Sequence, residues 1–148
     1  MSTQTIGLNN GQQLNVNTDT SKIFIWDNRF DKGLYTNSGY TEATILAGTV
    51  MGRVSSSGAI VPFTSGASNG SQYIIGVLNE DHVLQAGETK EVYYCVSGDV
   101  AAEMLLFQGS DSLTTVVDGR QIKDKIGADT IGIKLVTAVD LTKFDNPQ

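Results

Sequence analysis

The chain is expected to be mainly β: a single domain of short strands with one short late helix, preceded by an extended N-terminal arm. Three observations lead there. Short aromatic and β-branched runs such as KIFIWD, YIIGVL and KEVYYCV recur between clusters of Gly, Ser, Asn and Asp. Only one stretch, about Gly119 to Ile126, has the start and stop chemistry of a helix. The first 20 residues are rich in Thr, Asn and Gln and hold only isolated apolar side chains, Ile6, Leu8, Leu14 and Val16.

Taken in order, Met1 to about Thr20 buries too little apolar surface to offset its own ordering entropy. It reads either as an arm that stays mobile until it finds a surface or as an ordinary frayed terminus. The domain proper, residues 21–148, starts near Ser21 with KIFIWD as its first strand. NRFDKGLYTNSGY follows as a turn-laden connection with exposed aromatics. GTVMGRVSSSGAIVPF reads as a hairpin, with strands Val50 to Val54 and Ala59 to Phe63 and the turn at Ser55-Ser56-Ser57-Gly58. Pro62 lacks a backbone donor, which places the second strand at an edge or at its own end.

YIIGVL is a continuous apolar run between turn residues, the pattern of a strand buried on both faces, and KEVYYCV follows it. VSGDVAAEMLLF supplies another strand pair or a strand and a turn, with Gly98 where the backbone needs freedom. For the helix, Asp118 is the expected N-cap, Gln121 occupies the capping-box position, Gly127 closes the C-terminus, and Ile122 and Ile126 face the core. TIGIKLVTAV then alternates Ile131, Ile133 and Leu135 against Gly132 and Lys134, as a half-buried strand does. The tail DLTKFDNPQ is polar and expected to be loose.

Composition narrows the function. A net charge of −6, with 10 basic against 16 acidic residues, lacks the clustered cations that grip phosphates, so nucleic acid is not an expected partner. The single cysteine, Cys95, excludes an internal disulfide framework and any CxxC site. The first residues contain neither a basic stretch nor an apolar run, and no segment has the length of a membrane span. The expectation is a soluble chain made in the cytoplasm, without a membrane partner.

Gly66-Ala67-Ser68-Asn69-Gly70 matches the G-x-S-x-G of a hydrolase nucleophile elbow, which needs a strand before the serine and a helix after it. Here a strand follows. The sole histidine, His82, is preceded directly by Glu80 and Asp81, a poor arrangement for orienting its imidazole. Ser68 is therefore expected at a loop tip, and Asn69-Gly70-Ser71 is a turn rather than a glycosylated site. Glu80, Asp81 and His82 alternate in direction along an extended chain and converge poorly on one metal. Cys95 lies in an apolar strand and is expected to act as a small buried hydrophobe, and the nearby Asp99 and Glu103 establish no cleft. No phosphate loop, dinucleotide fingerprint or zinc pattern occurs, so the expectation is a non-enzymatic binding or structural protein without cofactor or metal.

The order of features resembles the lambda-type head decoration proteins of tailed bacteriophages. The match runs through Gly48-Thr49-Val50-Met51-Gly52, then Ile60-Val61-Pro62, the Ile75 to Leu78 strand, the acidic turn Glu80-Asp81, and Val96-Ser97-Gly98-Asp99-Val100. The closing IKDKIGADTIGIKLV resembles that family's late helix and last strand. The resemblance implies a β-clip fold, assembled as a homotrimer on the major capsid protein. Binding would be to the outer surface of the expanded shell at local threefold positions, stabilising the head against internal DNA pressure. Ile6, Leu8, Leu14 and Val16 would then be the anchors of a capsid-contact arm.

Two segments depart from the pattern: Ser21 to Tyr40, with Trp26, Phe30, Tyr35 and Tyr40, which has room for an added strand or intersubunit contact, and QGSDSLTTVVDG. A competing reading is a virion surface or adhesion module that stacks sugar rings on exposed Trp26, Tyr35 and Tyr40. A third, a small hydrolase, would require Ser68 and His82 within hydrogen-bond reach.

Overall fold

The computed structural model describes residues 20–137, and the expectations for Ile6, Leu8, Leu14, Val16 and the polar tail lie outside them. A 3-10 turn at Thr20–Lys22 leads into β1 (Phe24–Thr36). There follow β2 (Ala43–Ile45), β3 (Val50–Arg53), β4 (Ile60–Pro62), β5 (Ile74–Leu78), β6 (His82–Leu84) and β7 (Thr89–Ala101). After a second 3-10 turn come β8 (Val116–Val117), β9 (Arg120–Gln121), α1 (Ile122–Asp129) and β10 (Gly132–Val136). The chain is mainly β, as expected, with one short late helix.

The main sheet runs β1-β7-β5-β3-β4 with every pair antiparallel, and β10 joins β7 in parallel. β2–β6 and β8–β9 form separate ribbons. The sheet rolls so that its two edge strands meet: a Cβ on Gly33 of β1 would collide with the side chain of Ile60 in β4. Bulk at residue 33 would hold this closure open.

Both faces of the central strands are covered. On one side Val50, Val77, Cys95 and Val100 pack with Phe63, Ile122, Ile126 and Ile133; on the other Met51, Leu78 and Tyr94 pack with Ile60, Leu84 and Val92. That is why YIIGVL reads as a continuous apolar run rather than an alternation. At the step from Met51 to Gly52 the partner jumps from Gly76 to Ile74, leaving Ile75 as an extra residue in β5. The bulge lets Ile74 and Val77, an odd number apart, serve the same core. The hairpin β3–β4 forms where expected, with Pro62 on the edge strand and Gly58 (φ 76°) in its turn.

Several expectations are corrected. The connection after KIFIWD is strand: β1 continues through Thr36, paired along its length with β7 and bent by bulges. VSGDVA likewise belongs to the single 13-residue strand β7, because Gly98 (φ 104°) absorbs a kink instead of ending the strand. Asp118 is not a helix cap. With Gly119 it forms a two-residue hairpin turn, both at positive φ (54° and 79°), so Asp-Gly turn chemistry prevails over capping.

The helix begins three residues later than expected, and Gln121, at its N-cap, makes no side-chain cap bond. Ile122 and Lys123 donate their N–H groups to the carbonyls of Thr115 and Leu113 instead. Gly127 lies inside the helix, and Thr130 closes it, its Oγ1 donating to Ile126 O at 2.6 Å. Ile122 and Ile126 do face the core. Ile131 does not join Ile133: it sits in the turn before β10 and is 85% exposed.

Candidate interaction surface

The loop bearing Ser68 is fastened at several points. Asp111 accepts from Ser65 N (3.0 Å) and Ser65 Oγ (2.6 Å), and Asn69 Oδ1 accepts from Ser71 N (3.1 Å) and Ser71 Oγ (2.7 Å). Ser68 itself is exposed, and the loop leads into β5, a strand. The arrangement is a braced loop tip, with no helix to complete an elbow.

His82 opens β6, opposite Ile45 of β2, and its Nε2 is buried without a hydrogen-bond partner. Burial lowers its pKa; Glu80 and Asp81 pull it upward and Lys90 downward. Asp81 Oδ1 accepts from Ala47 N at 2.8 Å, tying this turn to the start of β3. Cys95 is buried, its thiol donating to Ser97 O at 3.1 Å and accepting from Asn28, and burial raises its pKa. Among the described residues no three His, Cys, Asp or Glu side chains are grouped to hold a metal.

Exposed apolar side chains gather on the surface of the described residues. The outer strand β1 is exposed over most of its length and presents Trp26 (72% exposed), Phe30 and Leu34. Opposite it β7 presents Tyr93, and the exposed Lys32–Glu91 pair (3.6 Å) crosses the same ribbon, contributing little to stability. Tyr40 is 97% exposed beyond the strand end. Tyr35 is half-buried against the second core, and burial raises its pKa. Trp26 and Tyr35 stand nine residues apart on β1, on the order of 30 Å at strand rise. The three aromatics expected to make a sugar platform therefore do not come together.

A second apolar surface lies at the end of β7. An open groove of about 490 Å³ is lined by Ala102, Leu105, Leu106, Phe107 and Leu113, with a polar rim that includes Glu103 and Asp111. A smaller groove of about 220 Å³ continues from Leu106 and Phe107 to Leu46 and Pro62. Sequence reasoning missed this surface, because VSGDVAAEMLLF reads as a strand pair or a strand and a turn, with nothing to show that Leu106 is left 41% exposed.

It also missed Asn37, which is buried and donates from Nδ2 to the carbonyls of Thr41 (2.8 Å), Leu84 (3.1 Å) and Gln85 (3.1 Å). Asn37 thereby holds the end of β1 to the turn after β6. The only available signal was its place in a Thr-Asn-Ser-Gly turn.

The rolled β domain packs both faces of its sheet and leaves apolar surface on an edge strand and in a groove, while the loop at its serine motif is a braced tip. The family model of the bacteriophage lambda head decoration protein D matches residues 37–118, and the chain belongs to that family. No curated protein matches the chain. The match spans β2 to β8 and omits β1, β9, the helix and β10. Membership makes the protein a structural, capsid-binding component of the virion.

Proposed function

We propose that this protein binds the outer surface of the expanded phage capsid as a homotrimer at local threefold positions and stabilises the head against the pressure of packaged DNA. Family membership over residues 37–118 is the observation that carries this reading. The exposed apolar strip on β1 and the groove beside Leu106 supply surface of the kind that contacts between copies and with the major capsid protein require.

The mechanism is one of linkage. A protein with affinity for the expanded lattice alone lowers the free energy of that state in proportion to its occupancy, and so opposes both reversal and rupture. Residues 1–20 act as an arm that lies along an exposed capsid strand, with backbone ladder bonds and apolar anchors drawn from Ile6, Leu8, Leu14 and Val16. Three arms per trimer raise the effective concentration of each and convert weak contacts into stable attachment.

Co-sedimentation of the purified protein with expanded and unexpanded capsids tests the reading. Saturable binding to expanded shells alone is the expected result, and absence of binding to either shell overturns it.

A further inference from the structure

The apolar groove at the end of β7 lies where the described chain begins. Ala101 donates its N–H to Ile23 O at 2.8 Å, and the next residue, Ala102, is a groove wall. On the other side Ile23 packs beside Gly48: a Cβ there would lie 3.5 Å from Ile23 Cδ1 and 2.6 Å from Met104 O. Gly48 O in turn accepts from Leu106 N at 2.9 Å. Ile23, three residues after Thr20, therefore lies beside a groove that leaves Leu106 and, in its extension, Leu46 partly exposed.

The segment preceding Thr20 contains two apolar pairs at a spacing of two, Ile6 with Leu8 and Leu14 with Val16. In extended chain each pair faces one side. The side chains around the second pair, Gln13, Asn15 and Asn17, are uncharged, so seating it brings no ionised group of the arm into the groove. Gln13 stands seven positions before Thr20, a reach of up to roughly 23 Å, enough to lay this pair in the groove.

We propose that Leu14 and Val16 seat in the chain's own groove, beside Leu105, Leu106 and Leu113, and that only the distal pair, Ile6 and Leu8, remains for the capsid. The short tether gives this occupant a high effective concentration over a second copy. The distal half of the inference rests on the arm reading above; the groove half does not. Its consequence is an arm launched from a fixed point on the domain surface, which reduces the ordering cost of attachment.

The test uses the full-length free protein with a nitroxide label at Gln13→Cys, the buried Cys95 being left in place, and reads the methyl resonances of Leu105, Leu106 and Leu113. These are expected to lose most of their intensity, and to regain it when Leu14→Ser and Val16→Ser are added. Isotope-labelled protein mixed with spin-labelled, unlabelled protein is expected to show no loss. Unaltered groove resonances, broadening indifferent to the two serine substitutions, or broadening that appears in the mixture would each overturn the proposal, the last by making a second copy the occupant. Capsid binding does not enter the readout, so failure here leaves the decoration reading standing. Failure of co-sedimentation likewise leaves the groove assignment standing.

Discussion

Gly98 lies within the longest strand pair at φ 104°, and a Cβ there would stand 2.5 Å from Asp27 O and 2.8 Å from the Cα of Asn28. Two demands coincide: a left-handed backbone and the close passage of the β1 bulge. Gly98→Ala is expected to lower unfolding free energy by about 1–3 kcal/mol, read by chemical denaturation. Sequence inspection marked this glycine as a point of backbone freedom; the opposing bulge that makes it necessary was not legible. His82 acts through protonation. Burial holds its folded pKa below the ordinary 6.5, so from about pH 6.5 downward the unfolded chain takes up a proton that the folded chain resists. Its contribution to stability is complete above pH 6.5 and is lost as pH falls through the folded value. Denaturation midpoints followed across this range should decline for the native chain, and His82→Gln should flatten the decline.

At the scale of elements, α1 is held to the sheet by a charge pair that its short length and weak start do not foretell. Lys125 is only 5% exposed, 2.9 Å from Asp129 Oδ2 and 5.0 Å from the centre of the Tyr73 ring. The same carboxylate oxygen accepts from Ile74 N at 3.1 Å, joining the helix end to the first residue of β5. Removing the acid strands a buried ammonium, so Asp129→Ala is expected to cost about 3–5 kcal/mol. Adding Lys125→Met should recover most of that loss in a double-mutant cycle, because the apolar chain keeps the packing without the charge. Ile122 and Ile126 were legible as the buried stripe of this helix. Its boundaries were not, since the N–H groups expected to need Asp118 are taken by the carbonyls of Thr115 and Leu113, which only folding brings near.

For the whole molecule, the described domain is closed by contacts that do not involve residues 1–19: the two cores, the β1–β4 meeting and the Asn37 knot. Deleting Met1 to Thr20 is therefore expected to leave a cooperative unfolding transition while weakening capsid attachment. Circular dichroism melts and capsid co-sedimentation of the truncated protein check the two halves, and a truncated chain that fails to fold, or binds undiminished, refutes the arm model. Assembly as a trimer is checked separately by sedimentation equilibrium of the intact chain.

The sequence by itself determined the β character, the hairpin around Ser55 to Gly58, the two-faced burial of YIIGVL and the improbability of an elbow at Ser68. Each follows from residue type and spacing over a few positions, where turn chemistry and side-chain period act. Only the tertiary structure decided that NRFDKGLYT is strand, that Lys125 is buried, that Asn37 ties three carbonyls, and that Leu106 lines an open groove beside the start of the domain. Those outcomes depend mainly on partners distant in sequence: β1 becomes strand because β7 supplies a ladder, and a charged or apolar side chain is buried or left open according to what long-range packing sets against it.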